Sequence, residues 1–175
     1  RYLRMFIVTG KNITLKNIKF QNGFIHRDFY NSQNYGAAIQ VNPNASLKIE
    51  NCSFTDNFSQ KGGGAIFNRG KLHVCGCLFE NNGCKLDGGA IFNKGDLRIS
   101  NAEFKGNTSR VGSAIYNKGN LLIENDILLS DNSSEFYNPI YIFSPVDVSG
   151  SDLNYDEMIS EYNEAEKMIE EDLLK

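Results

Sequence analysis

Apolar and polar residues alternate in short stretches along this chain, and the stretches recur about every 25 residues. An isoleucine marks each copy, in phrases such as Gly-Ala-Ile-Phe-Asn: Ile39, Ile66, Ile91, Ile115 and Ile140. Self-similarity with a period of about 20–50 residues is typical of solenoids, in which each repeat forms one coil stacked on the next. The pattern therefore predicts a solenoid.

Each repeat continues with further apolar pairs. The alternation in Leu72-His73-Val74-Cys75 has the two-residue period of a strand with one buried face. The phase restarts after an asparagine such as Asn101, a residue type that tolerates the positive φ of a tight turn. Three short strands and three turns per copy predict one rung of a parallel β-helix.

Equivalent residues then lie above one another at about 4.8 Å, the spacing of hydrogen-bonded strands. We expect about five to six rungs, with the sixth beginning at Ile140, and with interior columns of isoleucine, leucine, phenylalanine and hydrogen-bonded asparagine. Parallel crossovers are usually right-handed. The predicted fold is thus all-β, a right-handed parallel β-helix over residues 1–145, followed by a C-terminal α-helix.

The alignment of the repeats fixes the expected positions in the first and fifth rungs. It places Ile7 at the start of the first rung, equivalent to Ile39. It also places Asp126 and Leu128 at the positions that Ala102 and Phe104 hold in the fourth rung.

Charge divides the chain near Gly150. Residues 151–175 carry nine acidic and two lysine residues, whereas the rest has a small positive excess. The spacing i, i+4, i+7, i+11 gives this segment one apolar stripe, formed by Met158, Tyr162, Ala165 and Ile169. Residues 146–175 are therefore predicted to be a linker and an acidic amphipathic helix, either a cap on the last rung or a connector to another domain.

Two rows of side chains are candidate ligand-binding residues. Aromatic residues follow the isoleucine in four copies, where Gln40 stands in the second: Phe67, Phe92, Tyr116 and Tyr141. Gln40 indicates that this position points outward, so the rings could stack on a sugar or on a partner protein; alternatively, they pack on each other. Two residues later come basic side chains that could attract acidic glycans or serve solubility: Arg69, Lys94 and Lys118.

The chain has four cysteines: Cys52, Cys75, Cys77 and Cys84. Cys52 and Cys77 occupy equivalent inward positions and could be packing residues or disulfide partners. The spacing is not that of a zinc site.

Asp56 and Asp131 match one position three rungs apart, roughly 14 Å, whereas paired carboxylates of glycosidases lie within about 10 Å. We therefore expect no catalytic residue, metal or cofactor.

The motif Gly-Gly-Ala-Ile-Phe-Asn at 63–68 and 88–93, with Asn-Cys-Ser-Phe-Thr-Asp-Asn at 51–57, resembles the repeats of polymorphic outer-membrane proteins. It is also similar to asparagine-rich, adhesin-like surface proteins of methanogenic archaea. The resemblance covers about residues 5–143. It implies a β-helix of the pectate-lyase-like kind, exported and displayed on the cell surface, with a role in adhesion and no catalytic residues.

Three functions follow as hypotheses. The first is a non-catalytic cell-surface module that binds a glycan or protein partner through one β-helix face. The alternatives are a fragment of a polysaccharide lyase or hydrolase and a purely structural stalk. The positive excess is too small to indicate nucleic acid, and no apolar run is long enough to span a bilayer. The oligomeric state is not predicted.

Overall fold

The computed structural model describes residues 4–25, 34–142 and the backbone of the strand Val146–Asp147. Over these residues the chain is a parallel β-solenoid with four sheets of six, six, five and five strands. Each coil contributes one strand to every sheet, which gives five complete coils and two strands of a sixth. The predicted all-β parallel solenoid is confirmed.

The first two sheets hold the isoleucine strands and the strands that follow them. Sheet 1 contains Phe6–Val8, Ile39–Val41, Ile66–Asn68, Ile91–Asn93, Ile115–Asn117 and Ile140–Ile142. Sheet 2 contains Ile13–Lys16, Ser46–Glu50, Lys71–Cys75, Asp96–Ser100, Asn120–Ile123 and Val146–Asp147.

The other two sheets complete each coil. Sheet 3 contains Lys19–Gln21, Ser53–Thr55, Leu78–Glu80, Ala102–Lys105 and Ile127–Ser130. Sheet 4 contains Phe24–Ile25, Phe58–Ser59, Gly83–Cys84, Thr108–Val111 and Ser133–Phe136. The prediction of three strands per coil was wrong, because the fourth strand is only two residues long in the first three coils and shows no alternation.

The register places like residues over one another. Ile39, Ile66, Ile91, Ile115 and Ile140 are successive partners in sheet 1. All five belong to one core cluster inside the coils. At the corner between sheets 2 and 3 the backbone turns at Asn51 and Asn101, both with φ of 50°. The asparagine turns are therefore confirmed, and they restart the inward phase as the sequence predicted.

The first and fifth coils differ from the predicted alignment by one residue. Phe6, and not Ile7, pairs with Ile39, because the turn before sheet 2 is one residue longer here than in the third coil. In the fifth coil Ile127 pairs with Ala102, so Leu128 points outward and is 63% exposed. The cause is again one additional turn residue, between sheets 2 and 3.

Asparagines form a ladder at the corner between sheets 3 and 4: the buried Asn57, Asn82 and Asn107 and the half-buried Asn132. The Nδ2 of Asn82 donates to Oδ1 of Asn107 at 3.0 Å and to the carbonyl of Phe54 at 2.9 Å. Its Oδ1 accepts from the side-chain and backbone amides of Asn57. Each amide therefore satisfies polar groups on the coils on both sides, and the predicted asparagine column is confirmed.

A column of phenylalanine rings fills the interior beside this ladder: Phe20, Phe54, Phe79 and Phe104. Neighbouring ring centroids are 4.8 Å apart and the planes are within 9° of parallel. In the fifth coil Leu129 takes the same position. The ring spacing equals the strand spacing of about 4.8 Å, so the sheet register itself enforces the stacking.

Residues 148–175 lie outside the described part of the chain, and with them the predicted C-terminal helix. The strand Val146–Asp147 pairs with Leu121 and Leu122 of sheet 2, just past the predicted boundary at residue 145. The cap and the connector both stay predictions. In the described residues, no helix has the length and hydropathy that crossing a bilayer requires.

Replacing Asn82 with alanine should lower the free energy of unfolding by about 1–3 kcal/mol, the cost of a buried polar group left unsatisfied. The amides of Asn57 and the carbonyl of Phe54 would all lose a partner. Urea unfolding measures the change. Asn125→Ala, at an exposed asparagine, is the matched control and should stay within about 0.5 kcal/mol; equal losses in both would contradict the ladder's role.

Phe79→Ala should cost about 3–5 kcal/mol, the usual range for a deleted core ring. Phe79→Leu should cost less than about 1.5 kcal/mol, as for other conservative core replacements, because leucine already holds this position in the fifth coil. The same unfolding assay checks both variants. A leucine variant as unstable as the alanine variant would show that the stack requires an aromatic ring here.

Candidate functional site

The sheet 1 strands present two kinds of side chain to opposite sides. In Ile91–Asn93 the isoleucine enters the main core, whereas Phe92 belongs to a second, smaller apolar cluster. The same holds for the preceding and following coils through the register of the sheet. The aromatic position therefore does point away from the main core, as Gln40 had indicated.

The rings are nevertheless not an exposed stripe. Phe67, Phe92 and Tyr116 are 6%, 2% and 7% exposed, and Tyr141 is half-buried. Tyr35, Val111 and Tyr137 complete the cluster around them. Of the two interpretations of these rings, packing against each other agrees with the structure and an open stacking face does not, because the segments that lead into sheet 1 pass over the rings.

The rings contact each other along the solenoid axis. Phe67 and Phe92 have centroids 5.4 Å apart, Phe92 meets Tyr116 edge-on at 5.0 Å, and Tyr116 stacks on Tyr141 at 5.0 Å. Gly62 lies directly on Phe92, since a Cβ built on this glycine would be 2.6 Å from the ring. A residue without a side chain is thus needed where the covering segment meets the ring.

The basic residues lie over these rings. The ammonium nitrogens of Lys94 and Lys118 are each 5.2 Å from the ring centroids of Phe92 and Tyr116, and the Arg69 guanidinium carbon is 5.6 Å from that of Phe67. These distances are within the range of cation–π attraction. We call the three pairs the ring–cation column: Phe67 with Arg69, Phe92 with Lys94, and Tyr116 with Lys118. Aromatic and basic rows are therefore one surface.

The turn that carries each cation is held tightly against its neighbour. Asn68, Asn93 and Asn117 form a second amide ladder, in which the side chain of Asn93 donates to Asn117 and its Oδ1 accepts from the backbone of Gly95. A Cβ on Gly95 would lie 2.1 Å from the carbonyl oxygen of Gly70. Only glycine allows this approach, which fixes the cations one coil apart, about 4.8 Å.

Other charges extend the column. Arg4 donates to the carbonyls of Tyr35 and Gly36 at 2.7 and 3.0 Å, and burial, followed by the charge of Arg69, lowers its pKa. Lys61 lies 5.8 Å from the ring centroid of Tyr35. The Arg69 side chain extends from the third coil to the second, where it donates to Asn42, and Asn42 also accepts from Gln40. The surface is therefore positive from the first coil to the fifth.

Asp87 is the acidic residue whose charge acts within this surface. Burial raises its pKa, against the opposing effect of Arg110, Lys118 and Lys94. Burial and then the charge of Asp87 raise the pKa of Tyr116 to about 12, so the phenol stays neutral. In the sequence Asp87 is one of several scattered aspartates, and nothing there indicates a place beside the rings. In the structure its position is periodic, since bridges link Tyr35, Gly62, Asp87 and Val111 in successive coils.

The remaining acidic and metal-binding candidates are dispersed. Asp56 and Asp131 have φ of 54° and 55° and occupy the corner between sheets 3 and 4, a turn position rather than a catalytic one. Within residues 4–25 and 34–142, no three His, Cys, Asp or Glu side chains are grouped so that they could hold a metal ion.

The four cysteines are free thiols. Cys52 and Cys77 are buried inside the coils, and each thiol lies within hydrogen-bond distance of a backbone carbonyl, that of Glu50 and that of Cys75, respectively. Burial raises the pKa of Cys77 to about 11 and that of Cys84 to about 12. Cys75 is the half-buried one, on the outer face of sheet 2.

The fold and this surface define a class: a parallel β-solenoid in which three successive coils, the third to the fifth, each bring one aromatic ring and one cation to the outer side of sheet 1. Residues 51–69 and 76–94 match the Chlamydia polymorphic membrane protein repeat. Two segments of the chain are thus similar to that repeat. Both matches begin at the turn before sheet 3, and they end at Arg69 and Lys94, so each includes a whole ring–cation pair.

Comparison with curated proteins and with solved structures gives no match.

One thiol should react rapidly with a disulfide reagent at about pH 8, near the pKa of a free cysteine, and this thiol should be Cys75. The raised pKa values of Cys77 and Cys84 and the burial of Cys52 keep the other three slow. Cys75→Ser should remove the rapid phase. Denaturant without reductant should release all four thiols; a deficit would reveal a disulfide.

Proposed function

We propose that this chain is a non-catalytic, adhesin-like module of the cell surface that binds an acidic glycan or protein through the ring–cation column. The observation that carries the proposal is the alignment of Arg69, Lys94 and Lys118 over buried rings, on a rigid face. Lys94 and Lys118 are exposed, so a partner can reach them from solvent.

Surface display is supported by the repeat itself. Two segments match a repeat named for a membrane protein of Chlamydia, and the matched segments supply Phe67, Arg69, Phe92 and Lys94. The motif that relates the chain to this family is thus the motif that builds the column. A binding role at the cell surface is the simplest function that uses both facts.

The geometry favours recognition of negative charge over stacking on sugars. The rings are covered, so a sugar cannot lie on them, whereas the cations lie between ring and solvent. Each cation is held by its ring and its turn, so binding an anion would cost little side-chain entropy. Attraction to exposed charges acts over about a Debye length and weakens with salt.

A structural stalk is the second candidate. The asparagine ladders and the phenylalanine stack run through successive coils without interruption, as a rigid spacer requires. The two candidates differ in one respect: a spacer needs no partner for its outer face.

Replacing Lys94 and Lys118 together with glutamine should weaken binding to acidic partners about two- to thirty-fold, since an exposed charge contact contributes about 0.2–1 kcal/mol. The measurement is titration on arrays of sulfated, sialylated and neutral glycans and of acidic and neutral proteins, at low and high salt. Lys19→Gln with Lys85→Gln, both exposed and outside the column, is the charge-matched control. If the parent chain shows no salt-dependent binding to any acidic partner, the binding role is contradicted and the structural stalk remains the better function.

A further inference from the structure

A groove of about 800 Å³ runs along the outer side of sheet 2. Two rows of outward side chains, one residue per coil, form its walls. Lys48, His73 and Arg98 are register partners in one wall. Ser46, Lys71, Asp96 and Asn120 are register partners in the other. The groove therefore crosses all five complete coils, about 19 Å at the strand spacing.

The groove is positively charged. Lys48, Arg98 and Lys71 face it with Asp96, and Asn120 donates to the Asp96 carboxylate at 2.8 Å. The partners of Lys48 and Arg98, which are Glu50 and Glu124, lie in the next outward row, on the side away from the groove. Burial, followed by the charges of Arg98 and Lys48, lowers the pKa of His73, against the opposing effect of Glu124 and Glu50. A negative group bound beside the ring would add to the effect of these two carboxylates and raise the pKa.

The walls disfavour a protein occupant. Protein interfaces centre on buried aromatic or large apolar anchors, and the described residues that line the groove include no phenylalanine or tyrosine. The lining apolar side chains that solvent reaches are at the two ends of the groove: Ile13 in the first coil, above the inward column, and the half-buried Leu122 in the fifth. The backbone of the central strands is paired with coils on both sides, so an extended peptide finds no free edge to join.

A single-stranded nucleic acid fits no better. Such chains bind by stacking bases on exposed aromatic rings along a basic groove, and no such ring is present among the lining residues that the structure describes. What the walls do offer is hydroxyl, amide and cationic groups distributed over the five coils: Thr14 and Ser46, Asn12 and Asn120, and Lys48, Lys71 and Arg98. A ligand that contacts these groups along the solenoid axis is linear, rich in hydroxyl groups and negatively charged.

We propose that the sheet 2 groove binds a linear, carboxylate-bearing polysaccharide, which lies along the solenoid axis with its acidic groups toward Lys48, His73 and Arg98 and its hydroxyl groups toward Ser46, Asp96 and Asn120. This site is separate from the ring–cation column. It stands whether or not the column binds a partner.

The test is an NMR titration of the full chain with alginate oligosaccharides at low salt. The chain has two histidines, so the ring signals of His73 are readily assigned against those of His26. Saturable shifts of the His73 signals, with a rise in its pKa on binding, are expected. No shift of His73 at saturating oligosaccharide would overturn the proposal.

Variants locate the binding. Lys48→Gln with Lys71→Gln should raise the dissociation constant about tenfold, which corresponds to about 1.4 kcal/mol. Lys19→Gln with Lys85→Gln removes the same charge elsewhere and should change little. Lys94→Gln with Lys118→Gln should also leave the His73 titration unchanged. If the column variant alone abolished oligosaccharide binding, the groove proposal would fail while the proposed function gained support.

Other polymers test the ligand class. Neutral dextran should give no shift of His73, because it lacks carboxylates. Poly-L-glutamate and oligothymidine should bind at least about tenfold more weakly than alginate, a difference of about 1.4 kcal/mol. Equal binding of either one would show a surface that recognises charge alone and would overturn the assignment to a polysaccharide.

Discussion

One coil of this chain cannot enclose a core, so each coil buries its apolar side chains only against the coils above and below. Hydrogen bonding between coils in strict register makes this possible: parallel pairing along four sheets sets one spacing for every interior column. The rings of Phe54, Phe79 and Phe104 stack at 4.8 Å because their strands do. A shift of one residue would turn each of these side chains outward, which is why the fold depends on the turns that fix the register.

The turns reconcile two demands. Each must reverse the chain within a few residues, and each must lie flat against the next turn. Asn93 and Gly95 meet these demands on either side of Lys94: the asparagine amide bonds to the coil above, and the glycine permits contact with Gly70. Lys94, the residue between them, projects outward from the turn, and its ammonium group lies over the ring of Phe92. The ring–cation column thus follows from the stacking of the turns, which already sets the regular spacing of its cations.

The repeat made the stacked residues predictable, because a side chain that touches its own copies must resemble them. The isoleucine and asparagine columns and the row of cations could all be predicted in this way. The one-residue shifts at Phe6 and Ile127 were not, since each depends on the length of a single turn. The sequence left open whether the rings are covered or face solvent, and for a different reason. The covering position is periodic in space but holds Tyr35, Gly62, Asp87 and Val111, which share no chemistry, so no pattern marks it in the sequence.

The same reasoning separates what the solenoid needs from what it can vary. Interior positions and turn glycines repeat because the fold requires them in every coil. The outward row that holds Lys48, His73 and Arg98 also includes Thr14 and Leu122, so it does not repeat, and no stacking constraint accounts for its composition. Burial and then the charges of Arg98 and Lys48 lower the pKa of His73 between them, and the ion pairs of these two basic residues with Glu124 and Glu50 offset part of this repulsion. A charged row that the fold does not require is most simply explained by a ligand of opposite charge, and so selectivity in such a solenoid would reside in its non-repeating faces.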